Sequence, residues 1–233
     1  NTIHTSFLLQ QLNRTLDTAQ AKETVFFLNT DPRTHTSKAV EAAQGSPLVA
    51  AFLKNQALVL SPNAGFCLPL IKDEIEKLYE VKVADDGSQF RSRDIFAAVV
   101  AKALLGDIVS LLGQELFIET AIPAPPVGIF VLHVDNYGNI KLFLQKDSLE
   151  KQGIREGDEI KITIGERTVS GIRVSSTIFT IPPGSIVLAP GSSGPKSSPY
   201  YELSVRFDGD ARQSAADTFG WPEPGTQVTL FKN

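Results

Sequence analysis

Ile122-Pro-Ala-Pro-Pro-Val127 divides the chain into two stretches that follow different patterns, with three prolines in four positions. Proline fixes φ and removes an amide donor, so this segment is an extended, stiff connector that no helix or central strand accommodates. Before it, strand-like and helix-like signals alternate. Thr5 to Leu16 carries Phe7, Leu8, Leu12 and Leu16 at helical spacing. Thr24-Val-Phe-Phe-Leu28 is a continuous apolar run of the kind found in buried parallel strands. Ala57-Leu-Val-Leu60 reads as a strand, Leu68 to Tyr79 as a helix and Glu80 to Ala84 as another short strand. Ile95, Phe96, Val99, Val100, Ala103 and Leu104 make one helix face that Gly106 ends.

After the prolines the pattern changes to short strands separated by turn residues. They fall at 128–135, 139–145, 158–164, 167–174, 177–181, 185–189, 200–207 and 226–231. The expectation is an α/β domain over residues 1–121 with a mainly parallel sheet, then an antiparallel β-barrel over residues 127–233. A chain of 233 residues suffices for two such cores.

Composition narrows the partners. Lys and Arg number 22 against 26 Asp and Glu, and no basic stripe stands out, so nucleic acid is not an expected partner. No apolar run approaches the length of a membrane span. The single cysteine, Cys67, forms no internal disulfide framework and suits a reducing cytoplasmic setting. The chain starts at Asn1 and contains no methionine, from which we expect residues to be missing at the N-terminus.

Three polar segments interrupt this frame. Asp31-Pro-Arg-Thr-His-Thr-Ser-Lys38 follows a strand, Phe90-Arg-Ser-Arg-Asp94 opens a helix, and Asp135-Asn-Tyr-Gly-Asn139 turns a hairpin. In this order they resemble the S-adenosylmethionine hydroxide adenosyltransferase family and its halogenating relatives, the fluorinases and chlorinases. The resemblance runs patchily along the whole chain. It implies cleavage of the bond between the sulfonium and the ribose 5′ carbon, with S-adenosylmethionine as substrate and no metal. Water as nucleophile gives adenosine and methionine. The resemblance also implies a homotrimer whose site lies where the N-domain of one subunit meets the C-domain of its neighbour. An Asp-Phe-Gly-like ribose loop that opens the family's chains has no counterpart here.

Hydrolytic members pair an Asp with an Arg seven positions later and a His in a Phe-His-Gly-Arg-Asp segment. The corresponding positions here are Asp31, Lys38 and Arg91. Arg91 keeps a charge but cannot act as a base near neutral pH, and Lys38 lacks the planar fork of an Arg. Halogenating members place a Thr three positions after the Asp-equivalent site and a Ser in a Phe-x-Ser-Arg segment, matched by Thr34 and Ser92. Those enzymes carry Tyr where Asp31 stands, and a carboxylate there repels a halide. By the same resemblance Asn63, Phe90, Asp135, Tyr137, Asn139 and Tyr200 are the candidate ligand contacts.

Bland readings compete with each of these. Asp31-Pro32 is also an ordinary strand-ending turn, and Ser92 a good helix N-cap. Arg93 and Asp94 suit a local ion pair. Asp135 and Asn139 equally suit the shaping of a hairpin, and His133 sits on a strand beside the core. The alternatives to water-driven cleavage are a degenerate homologue that binds an adenosyl ligand without turnover, and halide-dependent adenosyl transfer.

Overall fold

The computed structural model describes residues 1–31, 45–83, 90–207, 209 and 213–232. The chain forms two compact units, Asn1–Pro125 and Pro126–Asn233.

The first unit opens with helix α1 (Thr2–Thr15), whose first amides are capped by the Asn1 side chain. A capping box at Asp17 starts α2 (Thr18–Lys22). Strands β1 (Val25–Phe27), β2 (Leu48–Leu53), β3 (Leu58–Pro62), β4 (Ile75–Val81) and β5 (Leu112–Glu115) form one sheet in the order β1-β3-β2-β4-β5. Only β1 and β3 run parallel; β2/β3, β2/β4 and β4/β5 are antiparallel. The sheet is therefore mixed, which corrects the expectation of a mainly parallel one. The physical reason is connection length. Gln56, with φ +77°, turns the chain sharply between β2 and β3, and so short a link joins only antiparallel neighbours.

Both faces of this sheet are covered. On one side Leu9 of α1 packs with Val49, Ala51, Val59 and Leu78. On the other, Phe96, Val99 and Ala103 pack with Leu48, Ala50 and Leu60. Double coverage explains the unbroken apolar run of β2, which has no alternation to mark it as a strand.

The helix expected over residues 68–79 is instead a 3-10 turn (Pro69–Glu74) followed by β4. A register shift opposite Phe52 and Leu53 inserts a bulge into the β2/β4 ladder, which brings Ile75 and Leu78 into the same core, while Val81 is buried in the core on the other face. Their spacing of three imitates a helix. The helical face expected from Ile95 onward is present as a π-helical turn (Ser92–Phe96) running into α3 (Ala97–Leu104). Arg91, not Ser92, takes the N-cap position, with no side-chain cap. A four-residue helix α4 (Ile118–Ala121) closes the unit.

The second unit is a closed barrel of β6 (Ile129–Val134), β7 (Ile140–Leu142), β8 (Glu159–Ile164), β9 (Arg167–Val174), β10 (Ile186–Pro190), β11 (Tyr201–Val205) and β12 (Gln227–Lys232). The order is β10-β11-β7-β6-β12-β8-β9, and a parallel β9/β10 pair closes it. Every other pair is antiparallel. Inward residues such as Val131, Ile140, Leu142, Ile162, Leu188 and Leu203 fill the interior. Two short helices, α5 (Lys146–Lys151) and α6 (Ala215–Phe219), accompany the strands, and residues 178–180 form a 3-10 turn where a strand was expected. No helix among the described residues is long and apolar enough to cross a membrane.

Candidate functional site

In the first unit the fold brings Asp31 to Arg91, 60 residues away in sequence. Arg91 Nη1 lies 3.4 Å from Asp31 Oδ2 and donates to the Ser46 carbonyl at 3.0 Å. The Asp31 carboxylate in turn accepts from the Ser46 amide, at 3.3 Å to each oxygen. The guanidinium stands 4.8 Å over the Phe96 ring. Side-chain exposure is 7% for Arg91 and 15% for Asp31, so both charges are largely withdrawn from water. Among the described residues Arg91 Nε has no hydrogen-bond partner.

Gly45 closes over this pair. It has φ +63°, and a Cβ there would lie 2.5 Å from both Arg91 Nη1 and Asp31 Oδ2. Backbone conformation and space both demand glycine. Gly45→Ala is expected to destabilise the first unit by roughly 1–3 kcal/mol. Amide exchange in β2 and β3 reports it; parental protection would show that the pair gives way freely.

Asp31 also acts on Cys67. Burial, reinforced by the negative charge of Asp31, pushes the Cys67 thiol up to about 11. A protonated, buried thiol donating towards the Thr30 carbonyl at 3.4 Å is a packing group and not a nucleophile.

The remaining first-unit candidates are placed individually. Asn63 Nδ2 donates to the Ala121 carbonyl at 3.1 Å, which ties the loop after β3 to α4. Phe90 is exposed, with the Arg93 guanidinium 4.7 Å from its ring centre. Arg93 pairs with Asp94, with 3.0 Å between Nη2 and Oδ2. Ser92 is half-buried in the π-helical turn. Thr34 and Lys38 lie outside the described residues.

In the second unit the turn Asp135–Asn139 links β6 to β7. Asp135 Oδ1 accepts from the Tyr137 and Asn139 amides, each at 3.0 Å. Its Oδ2 accepts from Asn139 Nδ2 at 3.0 Å and faces Lys141 Nζ at 3.7 Å. Gly138 supplies φ +76° where the turn passes against Ser214. The candidate pair Asp135 and Asn139 therefore builds the hairpin, by side-chain mimicry of a backbone turn. Lys141 Nζ also reaches Glu202 Oε2 at 2.7 Å, and His133, Lys141 and Glu202 form one cross-strand row over β6, β7 and β11.

Burial favours the neutral Asp135 carboxyl, but the hydrogen bonds from Asn139 and Tyr137, with Lys141 nearby, outweigh it and hold the group below the usual carboxylate range. A depressed folded-state value stabilises the fold above the unfolded value of about 3.9, and that contribution is lost as pH falls through the folded value. Asp135→Asn is thus expected to flatten the acid limb of the stability curve of the barrel, read as urea midpoints between pH 5 and pH 2 (about the carboxylate titration range). An unchanged acid limb would contradict this role. His133 shifts downward, by burial and by the Lys141 ammonium, with Asp135 partly opposing.

Tyr137 is exposed beside a cleft of about 300 Å³ that Asn136, Ser214, Asp217 and Trp221 also line. Tyr200 is buried, and its ring meets Phe143 at 5.8 Å. Sequence reading passed over Gly45, Ser46, Lys141 and Glu202. The one legible signal among them was the carboxylate of Glu202 set alone in the apolar strand Tyr201–Val205. No group of three or more His, Cys, Asp or Glu among the described residues is arranged to hold a metal.

No family model and no curated protein matches the chain. Solved structures of similar fold include the following two. An uncharacterized conserved protein from Thermotoga maritima superposes with TM-score 0.68 at 17% identity, covering 99% of this chain and 84% of that one. A conserved hypothetical protein from Thermus thermophilus gives TM-score 0.63 at 22% identity, covering 99% and 82%. At such identities the likeness is one of fold alone.

Proposed function

We propose that this protein binds S-adenosylmethionine and cleaves it slowly to adenosine and methionine, with water attack held back by the Asp31–Arg91 pair. The reading rests on the order of the three polar segments. The observation that carries its kinetic part is the contact between Asp31 and Arg91.

In the reaction, a water oxygen bonds to the ribose 5′ carbon as the carbon–sulfur bond breaks. The electron pair goes to sulfur, methionine leaves neutral, and the water proton passes to a base or to solvent. That step needs in-line placement and a proton acceptor near the water. Asp31 is the carboxylate of the segment. The Ser46 amide and Arg91 both engage its oxygens, and the guanidinium charge beside it lowers its readiness to take up a proton. Arg91 has no lone pair to offer. The same pairing favours a second reading, in which the protein binds the adenosyl ligand and does not turn it over.

The proposed assembly is a cytoplasmic homotrimer, for which light scattering is expected to give three times the chain mass. Titration calorimetry with S-adenosylmethionine and with adenosine tests the ligand. Saturable binding of both supports the reading, and heat-silent titrations of well-folded protein contradict it.

A further inference from the structure

We propose that the mouth of the barrel beside α5 is a binding site for a small uncharged ligand, an apolar body with one hydrogen-bond acceptor that the Tyr201 hydroxyl recognises. The site stands apart from the adenosyl reading, because none of the residues assigned to that ligand lines it.

A cavity of about 330 Å³ opens there, walled on its apolar side by Leu149, Ile154, Val174, Pro190 and Tyr201. Leu149, Ile154 and Val174 are at most 3% exposed and belong to the barrel core, so the core itself forms the floor. On β11 Leu203 pairs with Ile140 and Glu202 with Lys141, which puts Tyr201 at the strand end away from the Asp135–Asn139 turn. Val205, at the other end of β11, lines the cleft beside Tyr137. The two openings therefore lie at opposite ends of this strand.

Tyr201 and Leu203 share the inward face of β11, as alternate residues of a strand do. Tyr201 is only 8% exposed. Its amide donates to the Leu144 carbonyl at 2.8 Å, but its hydroxyl has no hydrogen-bond partner among the described residues. A buried phenol ordinarily finds one. Other polar groups of the lining are already engaged. Ser175 Oγ lies 2.6 Å from Thr180 Oγ1, Glu156 accepts from the Ser176 amide at 3.2 Å, and Lys146 pairs with Glu150 at 3.7 Å.

The electrical setting selects the ligand. Burial, reinforced by the charges of Glu156 and Glu150, pushes the Tyr201 phenol up from its ordinary value, so at neutral pH it is a donor. The same carboxylates oppose an anion at the hydroxyl. Lys146 and Arg155 balance them around the rim, so a cation gains no net attraction. It would also lose its hydration against the apolar floor. A neutral acceptor on an apolar body escapes both costs, and a concave apolar wall with a single directing polar group is the usual form of a small-molecule site.

The test titrates four probes of similar shape into the full chain, followed by backbone amide shifts. They are acetophenone, α-methylstyrene (the carbonyl oxygen replaced by CH₂), benzoate and benzamidinium. Acetophenone is expected to shift the Leu149, Ile154 and Val174 amides saturably. α-Methylstyrene should bind about three- to tenfold more weakly, the worth of one hydrogen bond, and the two ions more weakly still. Tyr201→Phe removes no hydrogen bond within the protein, so the fold should be kept. The variant should bind acetophenone only as well as α-methylstyrene, and its affinity for α-methylstyrene should be parental. The proposal is overturned if acetophenone leaves these amides unmoved, if it binds parent and Tyr201→Phe equally, or if either ion binds more tightly. No readout involves S-adenosylmethionine, so such a failure leaves the adenosyl reading untouched.

Discussion

Arg91→His combined with Lys38→Arg is expected to raise adenosine release from S-adenosylmethionine by about 10- to 100-fold over the parent. The substitution exchanges a group that cannot take up a proton for one that titrates near neutral pH. It also frees Asp31 from the guanidinium 3.4 Å away. Arg91→Gln is the control, since it removes the charge without supplying a base. If the block is the missing base, the Gln variant stays near the parental rate. If the block is only the engagement of Asp31, both variants accelerate. A double variant that binds S-adenosylmethionine and turns over no faster than the parent would place the limitation away from Arg91.

Asp31→Ala is expected to destabilise the first unit by about 3–5 kcal/mol, the usual consequence of stranding a buried charge. Arg91 would keep its 7% side-chain exposure while losing its ion-pair partner. Its Nε already lacks a hydrogen-bond partner among the described residues, so the site has little spare solvation. Asp31→Ala with Arg91→Met should recover most of the loss, because an apolar chain over the Phe96 ring replaces an unpaired cation. With two compact units a single unfolding free energy is poorly defined. Native-state hydrogen exchange at the β2 and β3 amides therefore serves as the measure. Equal protection in the single and double variants would show that the Arg91 charge is not the source of the strain.

Much of the fold was legible because it follows local rules. Helix α1 announced itself by spacing, the barrel strands by short runs between turn residues, and β1 by its apolar run. The failures arise where tertiary context or connection length overrides local pattern. β2 is apolar on both faces and so shows no period. β4 carries a bulge that turns a strand's burial into a spacing of three. The parallel sheet was inferred from alternation of types, but direction depends on connection length, and the turn at Gln56 is short.

The site was legible as residue types and not as roles. Asp31 and Arg91 were singled out together as parts of one motif set, but whether they touch is a long-range fact that only the fold contains. Asp135 and Asn139 were singled out together, and the structure gives them turn-building hydrogen bonds. Gly45 and Ser46 left no trace in the sequence because their contribution is backbone shape and backbone donors. Lys141 lies on a strand as one ordinary lysine until its neighbours, Glu202 and Asp135, are known.

The central claim is tested most directly by product chromatography after prolonged incubation of the parent protein with saturating S-adenosylmethionine, with and without chloride. Slow formation of adenosine and methionine in equal amounts, at a rate indifferent to chloride, is the predicted result. A chloride-dependent 5′-chloro-5′-deoxyadenosine peak, or intact S-adenosylmethionine recovered from a protein that does not bind it, would contradict the account.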